Sequence, residues 1–285
     1  MWDRKWIFFV CQQAALLTVG WAFLHLVRWY SGRTIHAAKN PLGAINTLFV
    51  FVLWIAVSAG TYVFYRLTEG TNAPPFGVPL SLHKTVDFLA GLVTGLIVVG
   101  SPKLLGILVG TISITETIRA HYSPAAIVGY VLLGFLLLLG NSLSEEITSR
   151  AYPMQLFREK ALWIRILLPS VFFAIIHLAD ERFKFSAFYE RTIAGVVLSI
   201  AYAISGNIWL ASGIHTGMNA SIVWTNGAWW VGALVKTTGR AIVPDWALDL
   251  VWTLVSVIGF AYLVRRGKPT SDRVVPQISS RGRQR

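Results

Sequence analysis

The sequence predicts an all-α polytopic membrane protein, and three observations support this prediction. Hydrophobic residues make up 55% of the 285 residues and charged residues only 13%, which is too apolar for an ordinary soluble domain. Apolar runs of about 20 residues, long enough to cross the ~30 Å hydrocarbon layer of a bilayer, recur along the chain. Most Lys and Arg stand in short loops and at the chain ends, so the net charge of +12 indicates membrane orientation and no nucleic-acid partner.

About eight transmembrane helices are predicted from apolar runs bounded by charge, Pro or Gly. They run from Trp6 to Val27, Ala44 to Tyr65, Val86 to Ile118, Pro124 to Phe157, Leu162 to Leu178, Thr192 to Ile204, Ile208 to Trp224, and Trp246 to Val264. The first run is longer than a signal-peptide core and no cleavage pattern follows it, so a retained helix is predicted. The third is interrupted by GSPK at 100–103, which predicts a kinked helix or a hairpin and changes the span count by one.

The basic residues predict the orientation of the chain. The tail 265–285 and the loop around 158–165 are rich in Lys and Arg, so both favour the cytoplasmic side, which eight spans with both termini inside would satisfy. The basic loop around 28–39 favours the opposite orientation. We expect a cytoplasmic tail that contacts anionic lipid, and the plasma membrane as the location if the chain is bacterial.

The chain divides into four predicted segments. Residues 1–122 hold the N-terminal transmembrane helices, 123–225 a core that carries the polar motifs, 226–264 a loop and the last transmembrane helix, and 265–285 the basic tail. The turn-rich segment 66–84 predicts a loop that rests on the membrane surface. The single cysteine, Cys11, has no partner in the chain, which excludes a disulfide framework and a cysteine metal site. The oligomeric state is left open.

The stretch SEEITSR, residues 144–150, places charged side chains directly after an apolar run. An ionisable residue near the bilayer centre costs ~2.5–3.5 kcal/mol and usually faces the interior of the helix bundle. On a helix that begins at Ser123 and Pro124, Glu146 and Arg150 lie on one face and can form an ion pair. Glu145 is turned about 100° from that pair, which leaves it for another role. A structural charge cluster, or a helix emerging into the headgroups, is the alternative.

A histidine ends the next polar motif, FAIIH, at position 177. If the chain turns back near Ala161, two antiparallel helices place Glu145 opposite about position 177, so Glu145 would face His177. A buried histidine is more often a hydrogen-bonded core residue than a functional one. A glutamate facing the ring makes a functional role for His177 the preferred interpretation.

The third polar motif, HTGMN, places His215 and Asn219 on one face of the seventh predicted span. Gly213 and Gly217 form a small-xxx-small pattern that permits close helix approach. Taken alone, Asn219 is explained as an interhelical hydrogen bonder with His215 as its partner. As the third such motif in one chain, it favours a functional site.

These side chains suit hydrolysis of an amide by activated water. A carboxylate beside an imidazole can remove a proton from water, and a second histidine with an Asn amide can stabilise an oxyanion, where one donor is worth ~10²- to 10³-fold in rate. No G-x-S-x-G nucleophile elbow occurs in the sequence. Glu145, His177 and His215 can instead bind zinc, although the H-E-x-x-H motif is absent, and the cofactor-free interpretation is preferred.

The three motifs match, in order, E-E-x-x-x-R, F-x-x-x-H and H-x-x-x-N. This ordered set resembles the CPBP family of intramembrane proteases, the CAAX-processing and bacteriocin-processing or Abi proteins, which includes the type II prenyl-protein proteases. The resemblance covers about residues 123–224 and implies a catalytic core built from the fourth to seventh helices. By this resemblance Glu145 activates water together with His177, His215 and Asn219 form the oxyanion hole, and Glu146 and Arg150 support them.

The resemblance leaves the substrate and the metal open. The family pattern has further small residues before the last motif; Gly195 fits, whereas Ser199 stands where another glycine is expected. Members have been described both as metalloproteases and as metal-free glutamate proteases. We predict an intramembrane endopeptidase whose partners are the lipid bilayer and a membrane-associated or lipidated protein or peptide. The alternatives are an ion- or proton-coupled transporter, against which the H-x-x-x-N donor pair argues, and a non-catalytic membrane adaptor or immunity protein.

Overall fold

A computed structural model describes residues 4–31, 44–70, 76–177, 184–226 and 234–265. The elements in chain order are α1 (Arg4–Ser31), α2 (Ala44–Glu69), α3 (Leu82–Leu108), β1 (Ile112–Thr117), α4 (Pro124–Glu146), α5 (Tyr152–Leu156), α6 (Leu162–His177), α7 (Phe185–Ser205), α8 (Ile208–Asn226), β2 (Val235–Gly239) and α9 (Asp245–Arg265). A 3₁₀ turn covers Ile118–Ala120, and a π turn, Ile147–Ala151, joins α4 to α5.

The described part of the chain is mostly helical, and it contains helices fit to cross a membrane. By length and composition, five segments within the described residues qualify: Phe51–Glu69, Leu82–Leu108, Pro124–Leu156, Phe185–Ser205 and Ala247–Arg265. The chain is therefore a multi-pass membrane protein. The all-α prediction needs one correction, because β1 and β2 pair as a small antiparallel sheet.

The third predicted span, Val86 to Ile118, is wrong at its C-terminal end. Helix α3 continues through Pro102 without a hairpin, because an interior proline removes one backbone hydrogen bond but does not have to end a helix. The helix ends at Leu108, and Gly110 adopts the left-handed region with φ of 80°. The six residues after Thr111, ISITET, include four β-branched side chains and form β1.

Two further boundaries differ from the prediction. Helix α2 continues to Glu69 and α3 begins at Leu82, so both ends of the predicted loop 66–84 are helical, while residues 71–75 lie outside the described residues. Helix α7 begins at Phe185 instead of Thr192, because the helix continues through the charged pair Glu190 and Arg191 that bounded the predicted apolar run. The predicted basic tail from 266 onward also lies outside the described residues.

The two-stranded sheet, termed the ribbon, joins the C-terminal ends of α3 and α8. Strand β1 pairs antiparallel with β2, with Ile112 opposite Gly239 and Thr117 opposite Val235. The Lys236 ammonium lies 2.5 Å from a Glu116 oxygen, and the His121 ring contacts the other oxygen. Hydrogen bonds from Lys236 and then His121 hold the pKa of Glu116 below its ordinary value.

Helices α3 and α8 pack with their backbones in contact. A Cβ atom at Gly95 of α3 would lie 2.2 Å from the Ile214 oxygen, and one at Gly217 of α8 would lie 2.3 Å from the Leu92 oxygen. Gly91 and Gly213 make equally close approaches. The predicted small-xxx-small approach of α8 is thus confirmed, with α3 as its partner.

Helices α6 and α7 also approach closely. A Cβ atom at Gly195 would lie 2.9 Å from Ser170 Cα, so only glycine fits there. The hydroxyl of Ser199 lies 3.4 Å from that of Ser170, which in turn donates to the Ile166 carbonyl. Ser199, the departure from the family pattern, is therefore accommodated by a hydrogen bond between the helices.

Both ends of the described chain lie at the same end of the helix bundle. Glu69, at the end of α2, is 3.7 Å from Lys5 of α1 and 2.5 Å from Arg158, which follows α5. Leu263 of α9 packs in a hydrophobic cluster together with Leu162, four residues after Arg158. This arrangement agrees with an even number of passes. Which side of the membrane it faces stays a prediction.

Candidate active site

The site is built on α4, the π turn and two helices that pack against them, α6 and α8. The Ser123 hydroxyl accepts a hydrogen bond from the Ala126 amide at 3.3 Å, and Pro124 is the first helical residue, as predicted. After Glu146 the helix widens, and the Tyr152 N–H bonds to the Ile147 carbonyl five residues back. Pro153 explains this turn, because its ring clashes with a carbonyl four residues earlier and it has no N–H to donate.

Glu145 and His177 face one another across α4 and α6. The His177 Nε2 atom lies 4.0 Å from Glu145 Oε2. The Nδ1 atom of His177 donates to the Phe173 carbonyl at 2.7 Å, so in the neutral ring the lone pair of Nε2 is directed at Glu145. The predicted proximity of these two residues is confirmed.

A second imidazole approaches the same oxygen of Glu145 from α8. The His215 Nε2 atom lies 3.7 Å from Glu145 Oε2, while its Nδ1 atom donates to Glu146 Oε1 at 2.9 Å. Distances of 3.7 and 4.0 Å are too long for direct hydrogen bonds. They suit one bridging atom, such as a water oxygen, placed between the carboxylate and both rings.

Glu146 is sealed inside the protein, and both of its oxygens are engaged. One accepts the hydrogen bond from His215, and the other lies 3.3 Å from the Arg150 guanidinium. The side chains of Glu146 and Arg150 are fully buried, and Arg150 also stacks 4.2 Å from the centre of the Phe173 ring. The predicted Glu146–Arg150 pair is confirmed. The bond from His215 to Glu146 was not predicted, because no local pattern links residues on α4 and α8.

Exposure separates the two adjacent glutamates. The Glu145 side chain is 26% exposed and that of His177 is 19% exposed, whereas Glu146 has no exposed surface. Part of the Glu145 side chain can therefore be reached from outside, although its Oε2 atom is itself buried, whereas Glu146 is wholly inaccessible. Neighbours in sequence thus differ in what they can do chemically.

Asn141 is a site residue that the sequence analysis missed. Its amide Nδ2 atom donates to Glu145 Oε1 at 2.9 Å, and the residue is 6% exposed. The signal was present in the sequence, since residues four apart on a helix are neighbours and an Asn–Glu pair at that spacing can hydrogen bond.

Asn219 lies one helical turn after His215 on α8, about 6 Å further along the axis. Its amide nitrogen is buried, and in the described part of the chain it has no hydrogen-bond partner. A buried N–H without a partner costs about 1–3 kcal/mol, so this group is a donor available to a ligand.

The three predicted zinc ligands lie together, but their spacing does not form a metal site. Each histidine donates a hydrogen bond from Nδ1 to an oxygen and directs Nε2 toward Glu145, which is the arrangement that metal-binding histidines adopt. Among the residues that the structure describes, no three His, Cys, Asp or Glu side chains are placed to hold a metal ion. The chemistry of the donors suits zinc, and their present spacing does not.

Comparison with known proteins finds a family model that is similar to this region. Residues 127–221, about a third of the chain, match the family model described as type II CAAX prenyl endopeptidase Rce1-like. The motifs at 144–150, 173–177 and 215–219 all fall inside this match. No curated protein and no solved structure matches the chain. The family match confirms the resemblance that the three motifs indicated.

Proposed function

We propose that the chain, whose residues 127–221 match type II CAAX prenyl endopeptidases, is an intramembrane endopeptidase. It would hydrolyse a peptide bond of a membrane-associated or lipidated protein or peptide. The observation that carries the proposal is the approach of two imidazole Nε2 atoms to one oxygen of Glu145, at 4.0 and 3.7 Å.

In the proposed reaction Glu145 acts as the general base. A water molecule bound at Glu145 Oε2 and His177 Nε2 attacks the carbonyl carbon of the scissile bond, and its proton passes to Glu145. The attack forms a carbon–oxygen bond and leaves the negative charge on the former carbonyl oxygen. Collapse of this intermediate breaks the carbon–nitrogen bond, and Glu145 returns its proton to the leaving amine.

His215 and Asn219 are the proposed donors to the oxyanion. The Asn219 amide, which has no hydrogen-bond partner within the described ranges, supplies one N–H. His215 supplies the second when both of its nitrogens carry protons, since Nδ1 already donates to Glu146. The charges of Glu145, Glu146, Arg150 and protonated His215 then sum to zero, which limits the cost of burying them.

Glu146 and Arg150 would hold His215 in place and do not contact the substrate. Glu146 fixes the orientation of the His215 ring through Nδ1, and Arg150 holds the second oxygen of Glu146. A buried carboxylate between a histidine and a cation keeps the ring oriented during proton transfer.

The other predicted features are proposed with this function. Residues 123–225 would form the catalytic core, supported by residues 1–122, because α3 packs along α8. The shared end of the bundle, with the segment 265–285, would face the cytoplasm, in the plasma membrane if the chain is bacterial. We propose a cofactor-free reaction; if zinc takes part, Glu145, His177 and His215 would hold it after closing their spacing.

The function is tested by comparing membrane proteins and peptides from cells that express wild-type protein with those from cells that express Glu145→Gln at equal abundance. New C-termini that appear only with the wild type are expected, because Gln cannot accept the proton of water. Glu159→Gln, at a glutamate that is 72% exposed, is the matched control and should leave the cleavage unchanged. Identical profiles for wild type and Glu145→Gln would reject the proposal.

A further inference from the structure

The two oxygens of Glu145 have different surroundings. Oε1 accepts a hydrogen bond from Asn141 at 2.9 Å, whereas Oε2 is buried, finds no hydrogen-bond partner among the described residues and faces both histidine rings. We propose that Asn141 is a positioning residue that holds Glu145 so that Oε2 stays directed at His177 and His215. This inference rests on the proposed function.

Glu145 needs such support because little else restrains its carboxylate. A glutamate has three side-chain torsions, and the last one is broad. The ion pair that fixes Glu146 does not extend to its neighbour, since Arg150 approaches Glu146. In the described part of the chain, the bond from Asn141 is the one hydrogen bond that Glu145 side-chain oxygens receive.

The chemical type of the holding residue also fits this role. An amide donates a hydrogen bond and carries no charge, so it orients the carboxylate without neutralising it. A lysine or arginine at the same place would form an ion pair and reduce the tendency of Glu145 to take a proton from water. Glu146, which has no exposed surface for a reactant, is the glutamate that receives the cation.

Without Asn141, the nearby Arg150 cation could attract the Glu145 carboxylate away from the histidines. All three guanidinium nitrogens of Arg150 are buried without hydrogen-bond partners within the described residues, and only Nε lies near Glu146, at 3.3 Å. A Glu145 side chain released from Asn141 would be free to turn toward this cation. That rearrangement would remove Oε2 from the two imidazoles and leave the backbone fold unchanged.

The test uses the purified full chain carrying Asn141→Leu, which keeps the size of the side chain and removes the amide N–H donor. It measures cleavage of a protein or peptide whose new C-terminus appears only in cells with the wild type. We expect kcat to fall about 10- to 100-fold, the usual effect of removing a residue that orients a reactive group, with KM within about two-fold. Asn141→Gln, which keeps the amide, should recover part of the loss. Ser142→Ala is the matched control, because its buried hydroxyl has no hydrogen-bond partner in the part of the chain that the structure describes.

A second readout does not depend on activity. The infrared difference spectrum between wild type and Glu145→Gln isolates the carboxylate stretch of Glu145. Asn141→Leu should shift this band and Ser142→Ala should not. If Asn141→Leu does not fold, as judged by thermal melting, Asn141→Ala replaces it in both measurements.

The outcomes separate the two proposals. An unchanged kcat or an unshifted band in the folded Asn141 variant overturns the positioning role. Absence of any cleavage by the wild type overturns the proposed function instead. In that case the infrared band still decides whether Asn141 holds Glu145.

Discussion

The two faces of α8 are held by different physical means. Toward α3, Gly213 and Gly217 bring the two helix backbones into contact. Toward α4, His215 contacts Glu145 and Glu146, and Asn219, one turn later on the same face of the helix, has a buried amide nitrogen with no hydrogen-bond partner among the described residues. One face fixes where the helix lies, and the other carries groups that can react.

This difference explains why a buried polar site can be kept in place. Polar groups buried without partners destabilise the fold, so the site face alone does not hold α8 firmly. Packing of backbone against backbone makes many dispersion contacts and tolerates almost no displacement. The glycine face therefore positions the polar face, although it contributes no functional group.

The largest effect is expected from inserting a side-chain atom between the tightly packed helices α3 and α8. Gly95→Ala adds one Cβ atom that would lie 2.2 Å from the Ile214 oxygen, so the helices must separate. We expect a loss of about 1–3 kcal/mol or more in stability, together with loss of cleavage. Thermal melting and a cleavage assay measure both.

Gly60→Ala is the control for this change. A Cβ atom there meets nothing within 4 Å, so the variant should melt close to the wild type. Equal melting temperatures for Gly95→Ala and Gly60→Ala would show that the α3 face does not position α8.

An intermediate effect is expected on the site face of α8. Asn219→Ala removes a buried N–H that has no hydrogen-bond partner in the part of the chain that the structure describes, so folding should be unaffected. We expect kcat to fall ~10²- to 10³-fold, as for loss of one oxyanion donor. Steady-state kinetics of the purified protein measure this.

Ser221→Ala provides the comparison on the α3 face of the same helix. The Ser221 hydroxyl donates to the Leu96 carbonyl at 3.2 Å, so its removal should lower stability slightly and leave kcat unchanged. A kcat for Asn219→Ala close to that of Ser221→Ala would remove Asn219 from the reaction.

The smallest effect is expected at the ribbon, which joins the ends of α3 and α8. Hydrogen bonds from Lys236 and then His121 hold the pKa of Glu116 below its ordinary value of 4.5. Because the pKa is lower in the folded state, the stabilisation is present above pH 4.5 and is lost as the pH falls through the folded pKa. Glu116→Gln should therefore melt slightly below the wild type at pH 7, with the difference disappearing in acid. A difference that stays constant with pH would contradict this assignment.

The sequence was informative where local patterns carry the structure. The cap at Ser123, the Glu146–Arg150 pair and the approach of Glu145 to His177 follow from helix periodicity and one turn between neighbouring helices. The bond from Asn141 to Glu145 follows from the same periodicity, although Asn141 precedes the charged motif and is uncharged, so the motif alone does not indicate it.

What the sequence did not predict depends on distant contacts. The ISITET segment continues an apolar run, which predicts the end of a helix, and the partner strand β2 that makes it a strand follows more than 100 residues later. The packing of α3 on α8 and the hydrogen bond of His215 to Glu146 likewise join separate parts of the chain. No single segment contains the information for such pairings.

The π turn at Ile147–Ala151 has a consequence for comparing this span with a regular helix. A π turn is equivalent to one extra residue, which rotates everything after it by about 100° relative to an uninterrupted helix. A helical wheel drawn through the whole of 124–156 therefore assigns Tyr152 and Met154 to the wrong side. The segment before the turn and the segment after it have separate phases, and a one-residue deletion between them would bring the two into phase.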